Sequence, residues 1–221
     1  MPDIATRPPG PRETRRDATR AAILDAAITL FAARGFEGTA LPAIAAACGA
    51  AVPLIIYHFK SKDLLWRAAA TEIYARVDTH LAGHAAAIAS AHGADRYRAY
   101  IRAHVTSLAA HPEYMRILFQ EGMAPSDRLA WLVETHQSRV TARLEALIAA
   151  AQDDGLLPPM DLTHAKFVLS GAFALPIVLA AEYALVNGED TRSPAFIERH
   201  IDGCIALLMP NLRVGAGDTS A

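Results

Sequence analysis

Four side chains that can contact phosphate lie within six residues of one another in the first third of the chain. They are Tyr57, His58, Lys60 and Lys62. Lysine ammonium groups neutralise phosphate oxygens, and phenol and imidazole groups hydrogen-bond to them, so the resulting binding weakens as salt is added. Backbone N–H groups at the start of a following helix would contribute in the same way. The chemistry predicted for this cluster is contact with a nucleic-acid backbone.

No enzyme or metal motif stands out elsewhere in the sequence. The chain contains no G-x-S-x-G, H-E-x-x-H, Walker or dinucleotide-binding fingerprint, so we predict neither catalysis nor a cofactor. His80 and His84 share a helix face and could hold a metal ion with Asp78 or His111 as a third ligand. Because the chain has nine histidines, such pairs are expected by chance. We therefore interpret this pair as solvated surface and predict no metal.

The charge distribution favours an anionic partner at the N-terminal end. Residues 1–67 carry nine Lys and Arg against six Asp and Glu, whereas residues 68–221 carry twelve against seventeen. The segment from Phe167 to Val186 is apolar but is interrupted by Pro176 and Glu182, so it predicts a buried helix rather than a membrane span. With two well-separated cysteines in apolar surroundings and no secretory signal, we expect a cytoplasmic protein with reduced thiols.

Hydrophobic periodicity predicts an all-α protein with no strand. A flexible basic arm over residues 1–15 should precede a helix over 16–34, in which Leu24, Ala27, Ile28 and Phe31 form one apolar stripe. Further helices are expected over 40–48, 52–59 and 62–81, with the hydroxyl of Thr39 capping the first of these three. The remaining predicted helices are Ala94–Ala110, Pro112–Gly122, Ser126–Asp153, Asp161–Val186 and Pro194–Leu208, followed by a disordered tail over 213–221.

The two short helices between Leu41 and Phe59 have the spacing of a helix-turn-helix. Ala45 is small enough for two helices to cross closely, and Gly49 allows a left-handed turn four residues later. Ordinary packing of alanine-rich helices is the alternative interpretation.

The stretch from Ile23 to Ala69 resembles the N-terminal domain of the tetracycline-repressor (TetR) family. The resemblance rests on LFAARGFEGT at residues 30–39, on IAAACG at residues 44–49 and on YHFKSKDLL at residues 57–65. It implies a three-helix DNA-binding domain over 16–62 and a helical domain for ligand binding and dimerisation over 63–212.

The resemblance also implies roles for individual residues. Thr39 would touch phosphate, Val52, Pro53 and Leu54 would face bases, and Ile56, His58 and Lys62 would contact phosphate or base edges. Residues 50–56 contain no side-chain donor or acceptor, so hydrogen-bonded reading of guanine or adenine is excluded from them. We therefore expect contacts with thymine methyl groups, and arm arginines such as Arg7 and Arg12 that probe the minor groove. Simple solubility is the alternative role for those arginines.

Two further sites are expected in the C-terminal part. The helices Phe167–Val186 and Phe196–Leu208 are too apolar for a surface and should form a homodimer interface, with burial inside a monomer as the alternative. A pocket for an unknown small-molecule effector should be lined by aromatic, methionine and histidine side chains, each of which could instead be ordinary core. The candidates are Tyr100, His104, Met115, Phe119, Met123, Trp131, His136 and Phe167.

Together these features predict a ligand-responsive transcriptional regulator, a repressor that a small hydrophobic effector releases from a palindromic double-stranded operator. A helical sensor of the same fold that has lost specific DNA recognition is the alternative.

Overall fold

The computed structural model describes the backbone of residues 11–213 and the side chains of residues 14–211. Within that range all regular structure is helical and no strand occurs, which confirms the all-α prediction. The chain divides into two compact units, Met1–Glu72 and Ile73–Ala221.

The described part of the first unit contains three complete helices and the start of a fourth. These are α1 (Pro11–Arg34), α2 (Leu41–Cys48), α3 (Val52–Phe59) and α4 (Lys62–Gly83), of which α4 continues into the second unit. The predicted stripe of α1 is confirmed, because Leu24, Ala27, Ile28 and Phe31 are all buried. They form one core with Ile44, Ile55, Phe59, Leu65 and Trp66, which are also buried.

The predicted boundary of the flexible arm is wrong for residues 11–15, because α1 already begins at Pro11. Proline suits the first position of a helix, where its fixed φ matches the helix and its missing N–H has no partner in any case. The rest of the predicted arm, with Arg7, lies outside the described residues. Residues 214–221 of the predicted tail lie outside them as well, and Arg213, the first residue of that tail, ends a 3₁₀ turn.

The second unit contains the remainder of α4 and eight further α-helices in its described part. These are α5 (Ala85–Ser90), α6 (Ala94–Ala110), α7 (Pro112–Gly122), α8 (Asp127–Leu132), α9 (Ser138–Asp153), α10 (Leu162–Val178), α11 (Ala180–Asn187) and α12 (Pro194–Leu208). Helix α10 contacts α6, α7, α9 and α12, so it lies at the centre of this unit. A π-helical turn, Val133–Gln137, joins α8 to α9.

The helix predicted over Asp161–Val186 is broken at Leu179, and its two parts are bent by 67°. Pro176 has no N–H, so the carbonyl of Ala172 loses its usual partner within the helix. The thiol of Cys204 on α12 donates to that carbonyl at 3.8 Å, and Nε2 of His200 lies 3.2 Å from the next carbonyl, that of Phe173. Side chains of α12 thus stabilise the interrupted part of α10.

No single helix in residues 11–213 combines the length and apolar character that a membrane crossing requires. Two adjoining pairs reach that standard only when joined, and both are sharply bent: α2 with α3 by 104°, and α10 with α11 by 67°.

Candidate nucleic-acid interface and ligand cavity

Helices α2 and α3 form a helix-turn-helix with a 104° bend. Gly49 ends α2 in the left-handed conformation, with φ 68° and ψ 20°, and its N–H donates to the carbonyl of Ala45. Ala45 itself is buried beneath the crossing. Both residues have the roles predicted from the sequence. An L-residue at position 49 would be strained by its positive φ even though the space around it is open.

Helix α3 has one buried face and one exposed face. Ile55 and Phe59 are buried in the first unit, whereas Leu54 and Ile56 are each 38% exposed and Tyr57 is 62% exposed. Pro53 is exposed as well, and Val52 and His58 are half-buried. The residues predicted to face bases therefore lie together on the exposed surface of α3 or at its margin. This surface is apolar apart from the tyrosine hydroxyl and the imidazole.

Thr39 does not have the position predicted for it. The residue is fully buried, and its hydroxyl contacts the carbonyl oxygens of Gly35 at 2.8 Å and Leu30 at 3.1 Å. The N-cap of α2 is Ala40, and no side chain caps it. The predicted cap is therefore wrong. Because its hydroxyl donates to carbonyl groups at the end of α1, Thr39 is also not available to a phosphate in this conformation.

A cationic edge, made of Lys60 and Lys62, follows α3. Lys60 has a φ of 69°, and its Nζ donates to the carbonyl of Tyr57 at 3.0 Å while lying 5.5 Å from the centre of that tyrosine ring. Nζ of Lys62 lies 4.2 Å from the ring centre of Phe36. At the start of α4 the hydroxyl of Ser61 accepts from the N–H of Leu64. The ammonium group of Lys60 is thus held beside the exposed Tyr57 of α3, whereas that of Lys62 lies over a ring that follows α1.

The second unit encloses a narrow apolar cavity of about 50 Å³. Tyr100 and His104 of α6 line it, as predicted, together with Leu147 of α9 and Phe173 of α10. The last two were not predicted as pocket residues, although Leu147 belongs to an apolar stripe of α9 with Leu144 and Ala151. That stripe could have identified the helix.

The other six predicted pocket residues do not line this cavity. Met115 is buried in the core, Phe119 is half-buried, and Met123 and Phe167 are 84% and 65% exposed. Trp131 and His136 pack against each other at 5.4 Å between ring centres. They lie elsewhere because the cavity is formed by α6, α9 and α10, whereas four of the six belong to α7, α8 or the π-helical turn. Met123 follows the end of α7, and the side chain of Phe167 on α10 is largely exposed to solvent.

His104 is the polar group of this cavity whose protonation is most strongly perturbed. Burial, and to a smaller extent the positive charge of Arg143, lowers the pKa of its imidazole to about 4. Burial also raises the pKa of Tyr100. Both side chains are therefore neutral near pH 7, and they can exchange hydrogen bonds with a ligand without carrying charge.

Replacing His104 with phenylalanine should reduce the loss of folding stability that occurs as the pH is lowered. The pKa of this imidazole is 6.5 in the unfolded chain and about 4 in the folded protein. Between those two pH values the unfolded state binds more protons, so the free energy of unfolding falls as the pH falls. The group should account for up to about 3 kcal/mol of that loss. Urea unfolding of the wild-type protein and the variant at pH 7 and pH 4.5 measures it. The exposed His164→Gln control should leave the wild-type difference unchanged, and an equal loss in wild type and His104→Phe would contradict the assignment.

Helices α10 to α12 expose an apolar surface that the rest of the described second unit does not cover. Its most exposed members are Leu185 at 89%, Leu207 at 80% and Val186 at 75%. The opposite faces of α10 and α12 are buried, including Ile177 and Phe196. One face of α10 and α12 is therefore buried within the second unit and the other is exposed, and the homodimer interface stays a prediction.

Three histidines lie close together at the end of α4. The ring of His80 is 5.4 Å from that of His84 and 5.7 Å from that of His111. Even so, the part of the chain that the structure describes contains no group of three or more histidine, cysteine or acidic side chains arranged to hold a metal ion.

Comparisons with known proteins cover both units. A family model described as bacterial regulatory proteins of the tetR family matches residues 23–69, and one described as a tetracyclin repressor-like C-terminal domain matches residues 90–174. The HTH-type transcriptional regulator RutR of Escherichia coli K12 is 25% identical over 213 residues, which cover 96% of this chain and 99% of RutR.

Solved structures share the fold. A putative fatty acid metabolism regulator of Clostridium perfringens has a TM-score of 0.66 at 17% identity, covering 85% of this chain and 96% of its own. AibR, solved in complex with isovaleryl coenzyme A and operator DNA, has a TM-score of 0.62 at 23% identity, covering 87% of this chain and 98% of its own.

Proposed function

Because this chain belongs to the TetR family of bacterial regulatory proteins and is a transcriptional regulator with a DNA-binding helix-turn-helix, we propose that it is a homodimeric repressor. It binds a palindromic operator through residues 16–62, and a small hydrophobic effector held by residues 63–212 releases it. Two recognition helices in a dimer reach half-sites about 34–36 Å apart on the duplex.

The observation that carries this proposal is the exposed face of α3. Leu54 and Ile56 protrude from the helix instead of joining the core, and Lys60 and Lys62 lie immediately after it. Apolar side chains can contact the methyl groups of thymine, and the lysines can hold the phosphates on either side. The shape and flexibility of the duplex would supply further selectivity. A selection from random DNA that returned guanine-rich sites dependent on α3 would contradict this interpretation.

We expect nanomolar binding to the DNA upstream of the protein's own gene, with a strong dependence on salt. Each phosphate that a lysine or arginine neutralises contributes about −0.9 to the slope of log affinity against log salt concentration. Fluorescence polarisation with a labelled upstream fragment, from 50 to 300 mM salt, measures both quantities. A scrambled fragment of equal length and composition is the control.

A second candidate function follows from the composition of α3. Since residues 50–56 carry no hydrogen-bonding side chain, a sensor that retains the fold and has lost specific DNA recognition is the alternative. Micromolar binding that does not distinguish the upstream fragment from the scrambled one would favour this sensor over the repressor.

The effector acts through the difference in its affinity for two states of the protein. A ligand that binds the DNA-free state more tightly lowers DNA affinity by the ratio of its two binding constants. The apolar cavity beside Tyr100 and His104 supports an effector with a hydrophobic part.

A further inference from the structure

A larger, open cleft of about 980 Å³ lies in the second unit beside the narrow cavity. Its walls come from α4, α5, α6 and α9. Leu81, Ile88 and several alanines supply apolar surface, and the charged side chains that line it are Arg96, Arg139, Arg143 and Asp78. Three guanidinium groups thus share one cleft with a single carboxylate.

The carboxylate is already engaged on both of its oxygens. Arg139 contacts one oxygen of Asp78 at 2.8 Å, and Arg143 lies 3.5 Å from the other. The guanidinium of Arg96 has no carboxylate partner among the described residues. The four charged groups sum to two positive charges. The guanidiniums remain accessible, because the side chains of Arg139 and Arg143 are 73% and 51% exposed.

The cleft and the narrow cavity are adjacent. Tyr100 and Leu147 line both of them, so these two side chains form the boundary between a basic cleft and an apolar interior. The charge of Arg143 reaches that interior, where it opposes protonation of His104 and favours ionisation of Tyr100. An anion in the cleft would relieve this positive field, whereas a cation would add to it.

We propose that the effector is an amphipathic anion, whose acidic head is bound by Arg96, Arg139 and Arg143 and whose short apolar tail passes between Tyr100 and Leu147 into the narrow cavity. This inference rests on the proposed function, since it names the chemical class of the effector. Guanidinium groups bind carboxylates and phosphates through paired N–H donors, so either headgroup meets the requirement.

The sizes of the two spaces set the proportions of the ligand. The narrow cavity of about 50 Å³ accommodates on the order of three or four water-sized groups, so the tail should contain few carbons. The cleft is far larger and open, so the headgroup can be bulky. A tail of about four to six carbons on an acidic head fits both spaces when about three or four of the carbons lie inside the cavity and the rest lie between Tyr100 and Leu147.

Titration calorimetry with hexanoate, hexyl phosphate, hexanol and hexylamine tests the headgroup. We expect at least one of the two anions to bind at least tenfold more tightly than hexanol, and hexylamine to bind weakest. The stronger anion identifies carboxylate or phosphate as the preferred head. Equal binding of hexanoate, hexyl phosphate and hexanol, a preference for hexanol or hexylamine, or no binding of any probe at millimolar concentration would overturn the proposal.

Variants test the assigned residues. Arg96→Met should weaken binding of the preferred anion about tenfold, because a charge-assisted hydrogen bond is lost. Asp78→Asn should strengthen that binding, because two guanidiniums are freed. Arg102→Met, on the same helix but outside the cleft, is the matched control and should bind as wild type does. Unchanged affinity in both Arg96→Met and Arg143→Met would overturn the proposal.

The titration of upstream DNA separates this inference from the proposed function. Tight, specific DNA binding in a protein without anion preference would reject the amphipathic anion and leave the repressor standing. Anion binding without specific DNA binding would reject the repressor and support the sensor, whose ligand would still be an amphipathic anion.

Discussion

Aspartate at both Leu185 and Leu207 is expected to convert the protein from a dimer into a monomer and to weaken operator binding by at least about 100-fold. These two leucines are 89% and 80% exposed, which is unusual for large apolar side chains in a monomer. A symmetric dimer through α11 and α12 would bury both copies of each residue. The double variant would then place four unpaired carboxylates in an apolar interface, and each of them costs several kcal/mol to desolvate.

Loss of the dimer weakens DNA binding because each protomer then engages one half-site alone. Sedimentation velocity at micromolar concentration measures the assembly, and fluorescence polarisation measures the operator affinity. Substitution at such exposed positions should change the stability of the folded protomer by no more than about 0.5 kcal/mol. Met123→Asp is the matched control, since Met123 is 84% exposed but lies beyond α7, and it should remain dimeric. A wild-type protein that sediments as a monomer would contradict the interface.

The parts of the fold that follow from local periodicity were predictable. The apolar stripe of α1 and the pairing of Ala45 with Gly49 depend on neighbours within a few residues, so the sequence pattern carries the information. The bounds of α6, α7 and α12 follow from proline, glycine and serine at their ends. The hydroxyls of Ser126 and Ser193 cap α8 and α12 by accepting from the N–H groups of Leu129 and Phe196. Serine is a residue type that favours this position, so local sequence indicates both caps.

The break in α10 and the burial of Thr39 depend on distant contacts. Pro176 indicates a weak point in α10, but the helix is broken at Leu179, and α12 supplies partners for the carbonyls of Ala172 and Phe173 in the turn before the proline. Thr39 has the residue type of a helix cap, yet its hydroxyl is directed to the end of α1. Residue type alone could not distinguish between these two partners, because a threonine hydroxyl suits both.

The candidate sites were predictable to different degrees. Helix α3 could be located because Gly49 ends the preceding helix, Pro53 suits a first turn, and the surrounding sequence resembles a known helix-turn-helix. The apolar cavity beside Tyr100 and His104 could not be located from residue type, because aromatic and methionine side chains serve equally as core. The basic cleft went unnoticed since its arginines are spread over α6 and α9, and only the packing of these helices brings them together.

Alanine at Ile55 is expected to destabilise the fold, whereas alanine at Leu54 is expected to weaken operator binding alone, although the two residues are neighbours on α3. Ile55 is fully buried, so Ile55→Ala should lower the free energy of unfolding by about 2–5 kcal/mol. DNA binding should be lost because the first unit no longer folds. Leu54 is 38% exposed, so its replacement should cost little stability. Leu54→Ala should instead weaken binding to the operator by about tenfold, since apolar contacts with thymine are lost.

The comparison of operator and scrambled DNA makes this pair of variants decisive. Leu54→Ala keeps Lys60 and Lys62, so its binding to scrambled DNA and its salt slope should match those of the wild-type protein. Only the preference for the operator should fall. Urea unfolding and polarisation on the same preparations measure stability and affinity together. If Leu54→Ala keeps the full operator preference while remaining folded, base recognition does not reside on the exposed face of α3, and the thymine contacts proposed for Val52, Pro53 and Leu54 are wrong.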